Sequence, residues 1–134
     1  MEAQKKIAVY HYSKVVGEVI AELLKQDYSA EYIPISRKTL PGHIAEDINL
    51  RSPDLVFISL NFGDSTSHPI GSTRFNEGLE ALVKIKNMKS LPVVIVTGYG
   101  DNYREEALAK GADGYLMLPA KREQILELAN ILAK

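Results

Sequence analysis

The sequence predicts an α/β fold in which a parallel sheet carries helices on both faces. Three observations predict it. Short apolar runs alternate with longer amphipathic stretches, giving five β-α units. The run Pro92–Thr97 (PVVIVT) is continuously apolar, as expected of a strand covered on both sides. At 134 residues, 46% hydrophobic and 25% charged, the chain suits one domain over residues 1–134 with a single core.

The elements follow in order. Lys6–His11 (KIAVYH) reads as a buried strand. Ser13 can cap the next helix, its oxygen accepting an orphan backbone N–H. In that helix Val15, Val16, Val19, Ile20, Leu23 and Leu24 form the expected inward stripe. Glu31–Ser36 (EYIPIS) is a weaker strand, and Pro34, unable to donate to a ladder, places it at a sheet edge. His43–Leu50 gives a short helix with Ile44, Ile48 and Leu50 inward.

Asp54–Leu60 (DLVFISL) is the third strand, and the polar stretch Asn61–Thr73 follows without periodicity. Phe75, Leu79, Leu82, Val83 and Met88 define the third helix. After the strand Pro92–Thr97, Asp101 can cap a helix ending at Gly111, where a left-handed C-terminal residue fits. Tyr115–Leu118 is the last strand, and Ile125, Leu128, Ala129 and Leu132 mark the closing helix.

Composition excludes several function classes. The chain has no cysteine, which removes disulfides, thiolate catalysis, iron–sulfur clusters and cysteine-ligated zinc. A net charge of −1 supplies no field to attract nucleic acid or an anionic membrane. The start MEAQKKIAVY lacks the apolar region of a signal peptide, and no apolar run approaches the roughly 18 residues of a membrane span. A cytoplasmic location is expected.

In parallel α/β sheets ligands bind beyond the carboxyl ends of the strands. The residues to read are therefore His11–Ser13, Ser59–Thr73, Thr97–Asp101 and Leu118–Ala120. With LPVVIVTGYGD, EALAKGADGYLMLPA, PDLVFISL and KKIAVYHYS at those places, the chain resembles a response-regulator receiver domain of two-component signalling over nearly its whole length. The resemblance implies a flavodoxin-like, doubly wound five-stranded sheet of order 2-1-3-4-5.

Receiver domains carry an acidic pair that holds magnesium, an aspartate that accepts a phosphoryl group, a Thr or Ser that contacts it, and a Lys before a proline. These groups meet the charge that develops on the phosphoryl oxygens. Here the acidic pair falls on His11 and Tyr12, the acceptor on Ser59, and the lysine on Leu118, just before Pro119. Thr97 keeps its family identity, as does Tyr115, the aromatic that in the family switches between inward and outward rotamers. Magnesium wants carboxylate oxygens, which neither His11 nor Tyr12 supplies. A serine hydroxyl is a poor substitute for the acceptor carboxylate, and Leu118 carries no charge. The resemblance thus implies a degenerate pseudo-receiver without phosphoryl-transfer chemistry, with no catalytic residue, no metal and no cofactor. The degenerate pocket comprises His11, Tyr12, Ser59, Asn61, Thr97 and Leu118.

The third βα connection stands out. Its irregular part, Asn61–Thr73, runs to roughly thirteen residues where 2–6 are usual. It is read as a surface excursion, as a lid filling the vacated pocket, or as an anion site from Gly71, Ser72, Thr73 and Arg74. A metal site from His11, Asp64 and His68 matches no known spacing.

Other residues have plainer readings. Tyr10, His11 and Tyr12 are expected to cluster and plug the space of ion and water. Lys84, Lys86 and Lys89 read as a solvated basic face and His43 as a solvated surface residue. GYGD at Gly98–Asp101 lacks the spacing of a phosphate-binding loop.

Three functions compete. The first is a signalling module acting through a protein partner — a kinase, an output domain or a second copy as a homodimer — on the face of the fourth helix, fifth strand and fifth helix. The exposed residues expected there are Tyr103, Arg104, Lys110, Tyr115 and Lys121. The second is a small-ligand or anion sensor using the 61–74 loop, although the Asp-x-His-x-x-Gly pattern of cobalamin domains is missing. The third, an enzyme using Ser59 as nucleophile, lacks the G-x-S-x-G elbow. The first reading is adopted, with no enzymatic activity.

Overall fold

Five strands and five helices alternate along the chain. A computed structural model describes residues 4–63, 76–98 and 100–133. The strands are β1 (Lys6–His11), β2 (Ser29–Pro34), β3 (Leu55–Ser59), β4 (Val93–Thr97) and β5 (Gly114–Met117). The helices are α1 (Lys14–Leu24), α2 (Pro41–Arg51), α3 (Glu77–Met88), α4 (Arg104–Ala109) and α5 (Arg122–Leu132). All strand pairs are parallel, in the order β2-β1-β3-β4-β5 that the resemblance implied. β2, with its Pro34, lies at an edge as expected.

Strand alternation divides the core into two layers. Tyr10, Ile58, Leu60 and Ile95 pack against α2, α3 and α4. Ile7, Val9, Phe57 and Val96 pack against α1 and α5. β3 and β4 are buried along their whole length, which is why their sequences are continuously apolar.

Local signals placed several elements well. Ser13 caps α1, its Oγ accepting the Val16 N–H at 3.3 Å. Gly111 ends the α4 turn with φ at 108°, where other residues are strained. Lys86 reaches across to the sheet, its Nζ 2.9 Å from Asp113 Oδ2 and 2.8 Å from the Leu91 carbonyl. It is therefore a tether and not part of a solvated basic face, which corrects that reading.

Other expectations need correction. The inward face of α1 is Gly17, Ile20, Ala21 and Leu24, whereas Val15 is 73% exposed and Val19 52%. The small residues win because they let the helix approach the sheet: a Cβ on Gly17 would lie 2.2 Å from the Tyr32 ring. In α2, Ile44 and Ile48 point inward one turn apart, but Leu50 is 84% exposed, two residues and about 200° further round. Asp101 does not cap α4. Its carbonyl accepts the Arg104 N–H at 3.1 Å in a preceding turn, and Tyr103 is the N-cap. The third helix begins at Glu77, and Phe75 lies outside the described residues.

Candidate functional site

His11, Ser59, Thr97 and Leu118 occupy successive strand ends along the carboxyl edge. Tyr10 pairs with Ile58, Ser59 with Val96 and Thr97 with Met117, and the Leu118 N–H donates to the Thr97 carbonyl at 2.8 Å. Leu118 leads into a cis peptide bond to Pro119. Alternation nevertheless splits the row between the layers. His11 and Ser59 fall on the α1/α5 side, Thr97 and Tyr115 on the α3/α4 side.

His11 is buried, and its Nδ1 accepts the Ser13 N–H at 2.9 Å. Burial pulls its imidazole down to about 4, so it is neutral at physiological pH with its proton on Nε2. Tyr12 stacks on it at 4.9 Å between ring centroids and remains exposed.

Tyr10 does not join them, which corrects the expected aromatic cluster. Its ring enters the α2/α3 layer, and its hydroxyl donates to Asp47 Oδ2 at 2.7 Å. Arg51 Nε donates to the same oxygen at 2.6 Å, and Arg51 Nη1 to Glu31 Oε1 at 2.7 Å. Burial, then the Asp47 bond, raise the Tyr10 phenol well above its ordinary range.

Ser59 is buried, and its hydroxyl donates to the Asn61 carbonyl at 2.6 Å. Its proton is engaged with the chain's own backbone. Asn61 and Phe62 are buried beside it, so the first residues after β3 turn inward.

The chain returns to the same place at α3. The Gly78 N–H donates to the Leu60 carbonyl at 2.8 Å. Two longer contacts flank it: Asn61 Nδ2 to Asn76 Oδ1 at 3.4 Å and the Phe62 N–H to Glu77 Oε1 at 3.5 Å. Together they close a neck at the base of the long connection. Phe62, Asn76 and Glu77 were not singled out from sequence. Glu77, a carboxylate that ends up buried, looks there like an ordinary first-turn acid. The loop residues Asp64, His68, Gly71, Ser72, Thr73 and Arg74, with the anion and metal readings built on them, lie outside the described residues. Among the described residues no three His, Cys, Asp or Glu side chains gather as a metal site requires.

On the α4/β5 side Tyr115 is buried, not exposed as expected, and its hydroxyl donates to the Gly100 carbonyl at 2.8 Å. It also meets the Thr97 hydroxyl, while burial raises its phenol above the ordinary value. The Arg104 guanidinium lies over the Tyr115 ring at 5.0 Å and approaches Met117 Sδ at 3.8 Å. Tyr103 and Arg104 are half-buried, and Lys110 and Lys121 are exposed. Leu108 and Met117 add exposed apolar surface to this side.

No family model and no curated protein matches the chain. Solved structures do. The receiver domain of NtrX from Brucella abortus is similar with a TM-score of 0.74 at 22% identity, over 95% of this chain and 97% of that one. A CheY-like response regulator receiver domain from Methylobacillus flagellatus gives 0.72 at 19% identity, over 97% of this chain and 99% of that one. NtrX from Brucella abortus in complex with ADP gives 0.75 at 22% identity; the match covers 98% of this chain but only 27% of that one. Likeness at these identities establishes the flavodoxin-like receiver fold. What the chain does has to be argued from its own residues.

Proposed function

We propose that this chain is a receiver-type signalling module that acts by binding a protein partner and does not pass through an aspartyl phosphate. The Ser59 hydroxyl carries the reading: at the strand end where the resemblance places the acceptor, its proton is committed to the Asn61 carbonyl at 2.6 Å. Along the same carboxyl edge stand a neutral imidazole at His11, a phenol at Tyr12 and an aliphatic chain at Leu118. None of them gives magnesium the carboxylate it wants or meets phosphoryl charge with a cation. The same commitment of Ser59 speaks against an acyl- or phosphoryl-transfer enzyme, since among the described residues no base stands ready to activate it.

The partner surface in this reading is the α4/β5/α5 side. Tyr115, held inward, and Arg104, stacked over it, set its shape, and Tyr103, Lys110 and Lys121 are assigned to the same surface in this reading. A kinase, an output domain or a second copy would dock there. In this reading no cofactor is used and the module works in the cytoplasm. Among the described residues no helix is long and apolar enough to cross a membrane.

The test is intact-mass spectrometry after incubation with acetyl phosphate or phosphoramidate and magnesium. The expected result is an unchanged mass, with amide resonances at the carboxyl edge unmoved by millimolar magnesium. A stable gain of one phosphoryl group on Ser59, or saturable magnesium shifts at residues 11, 59 and 97, would overturn the reading. Substitution of Arg104 and Lys121 should abolish association with the partner while leaving the fold intact.

A further inference from the structure

We propose that Met117 is an oxidation site whose sulfoxide is captured by Arg104, so that peroxide fastens the start of α4 to the end of β5. Met117 is the last residue of β5, and it is 37% exposed. Its Sδ lies 3.8 Å from Arg104 Nη2, and the same guanidinium covers the Tyr115 ring at 5.0 Å. Both neighbours are weak partners for a cation, since a thioether is a poor acceptor and a ring face offers no lone pair. Among the described residues no carboxylate forms an ion pair with Arg104.

Hydrogen peroxide is the co-reactant. A sulfur lone pair attacks one peroxide oxygen, the S–O bond forms and the O–O bond breaks. The departing hydroxide takes the proton of the transferred oxygen and leaves as water, so sulfur is oxidised and peroxide reduced. The new oxygen is a strong acceptor, and methionine's unbranched chain can turn it toward the guanidinium. Arg104 Nη2 then donates to it in a charge-assisted bond that the thioether could not offer. Because Arg104 is the first residue of α4, this bond ties that helix to the last residue of β5. The surface is the one proposed for the partner, and only the regulatory meaning of the bond rests on that reading.

Met88 supplies the comparison. It is 39% exposed, so access does not separate it from Met117. Among the described residues no hydrogen-bond donor stands beside its sulfur, and oxygen added there gains no partner from the chain.

Peptide mapping and amide hydrogen exchange on the Met88→Leu chain, before and after millimolar hydrogen peroxide, test this. The peptide carrying Met117 should gain one oxygen, and exchange of the α4 amides should slow about fivefold, the worth of one added hydrogen bond. Methionine sulfoxide reductase should reverse both. Arg104→Gln should still take up the oxygen but lose the slowing. Met117→Gln, whose side-chain carbonyl stands in for the sulfoxide, should show the slowing without peroxide. Unchanged α4 exchange after oxidation, slowing that survives Arg104→Gln, or a Met117 left unoxidised while Met88 of the unsubstituted chain reacts would each overturn the proposal. None of these measurements involves a partner or Ser59, so their failure leaves the proposed function untouched.

Discussion

Gly78 lies against the backbone of Ser59: a Cβ built on it would be 2.2 Å from the Ser59 carbonyl oxygen and 2.8 Å from Leu60 Cα. The first turn of α3 therefore rests directly on the end of β3, and both obstacles are main chain that cannot step aside. Gly78→Ala should destabilise the fold by about 2 kcal/mol, in the range of overpacking substitutions. Gly42→Ala is the control. That glycine is also helical but has open space around its Cβ position, and the change should be neutral or stabilise by up to about 1 kcal/mol. Urea denaturation of the two variants distinguishes them.

His11 makes stability depend on acidity. Its folded value, about 4, lies below the ordinary 6.5, so the unfolded chain takes up the proton first. The contribution is fully present above pH 6.5, declines as pH falls, and is lost at about 4. Complete loss amounts to about 3 kcal/mol. His11→Gln should flatten the stability profile over that window, and the His11 ring resonance should titrate near its low end. A ring titrating at 6.5 would contradict the burial described for it.

Tyr10 acts at the other end of the scale. Its folded value is raised, so its contribution is complete below about pH 10 and declines as the pH rises further. Tyr10→Phe should remove this alkaline decline and cost about 1 kcal/mol at neutral pH from the lost bond to Asp47. Thermal melts from pH 7 to 11 would follow both effects.

Restoring the acceptor type alone should not restore phosphorylation. Ser59→Asp places a carboxylate in a buried position, with His11 and Leu118 where the resemblance would have carboxylate and ammonium. Stability should fall by about 2 kcal/mol or more, and acetyl phosphate should still leave the mass unchanged. A magnesium-dependent phosphoryl adduct on this single variant would show that the remaining edge is competent after all.

Local patterns repeated along the chain disclosed the five β-α units and the row of strand-end residues, whereas the sheet order came only with the resemblance to receiver domains. Neither disclosed which valines of α1 face inward. Hydrophobicity ranks Val15 and Val19 above Gly17 and Ala21, whereas the buried face holds the smaller pair, with Gly17 lying directly against Tyr32. Tyr10 finds Asp47 37 residues away, and Lys86 finds Asp113 27 residues away; no short-range signal announces such partners. Phe62 and Glu77 were hidden for the same reason, because their burial exists only once the two ends of the long connection meet.

That meeting has a consequence for how this chain can vary. With residues 60–62 already joined to 76–78, the intervening sequence can change in length without disturbing the register of β3 and β4. Doubling the number of residues between two fixed ends adds only about 0.6 kcal/mol to the entropic cost of closure. Homologous chains should therefore differ most in length between Gly63 and Asn76, making this segment a natural place to graft a peptide or reporter onto the scaffold.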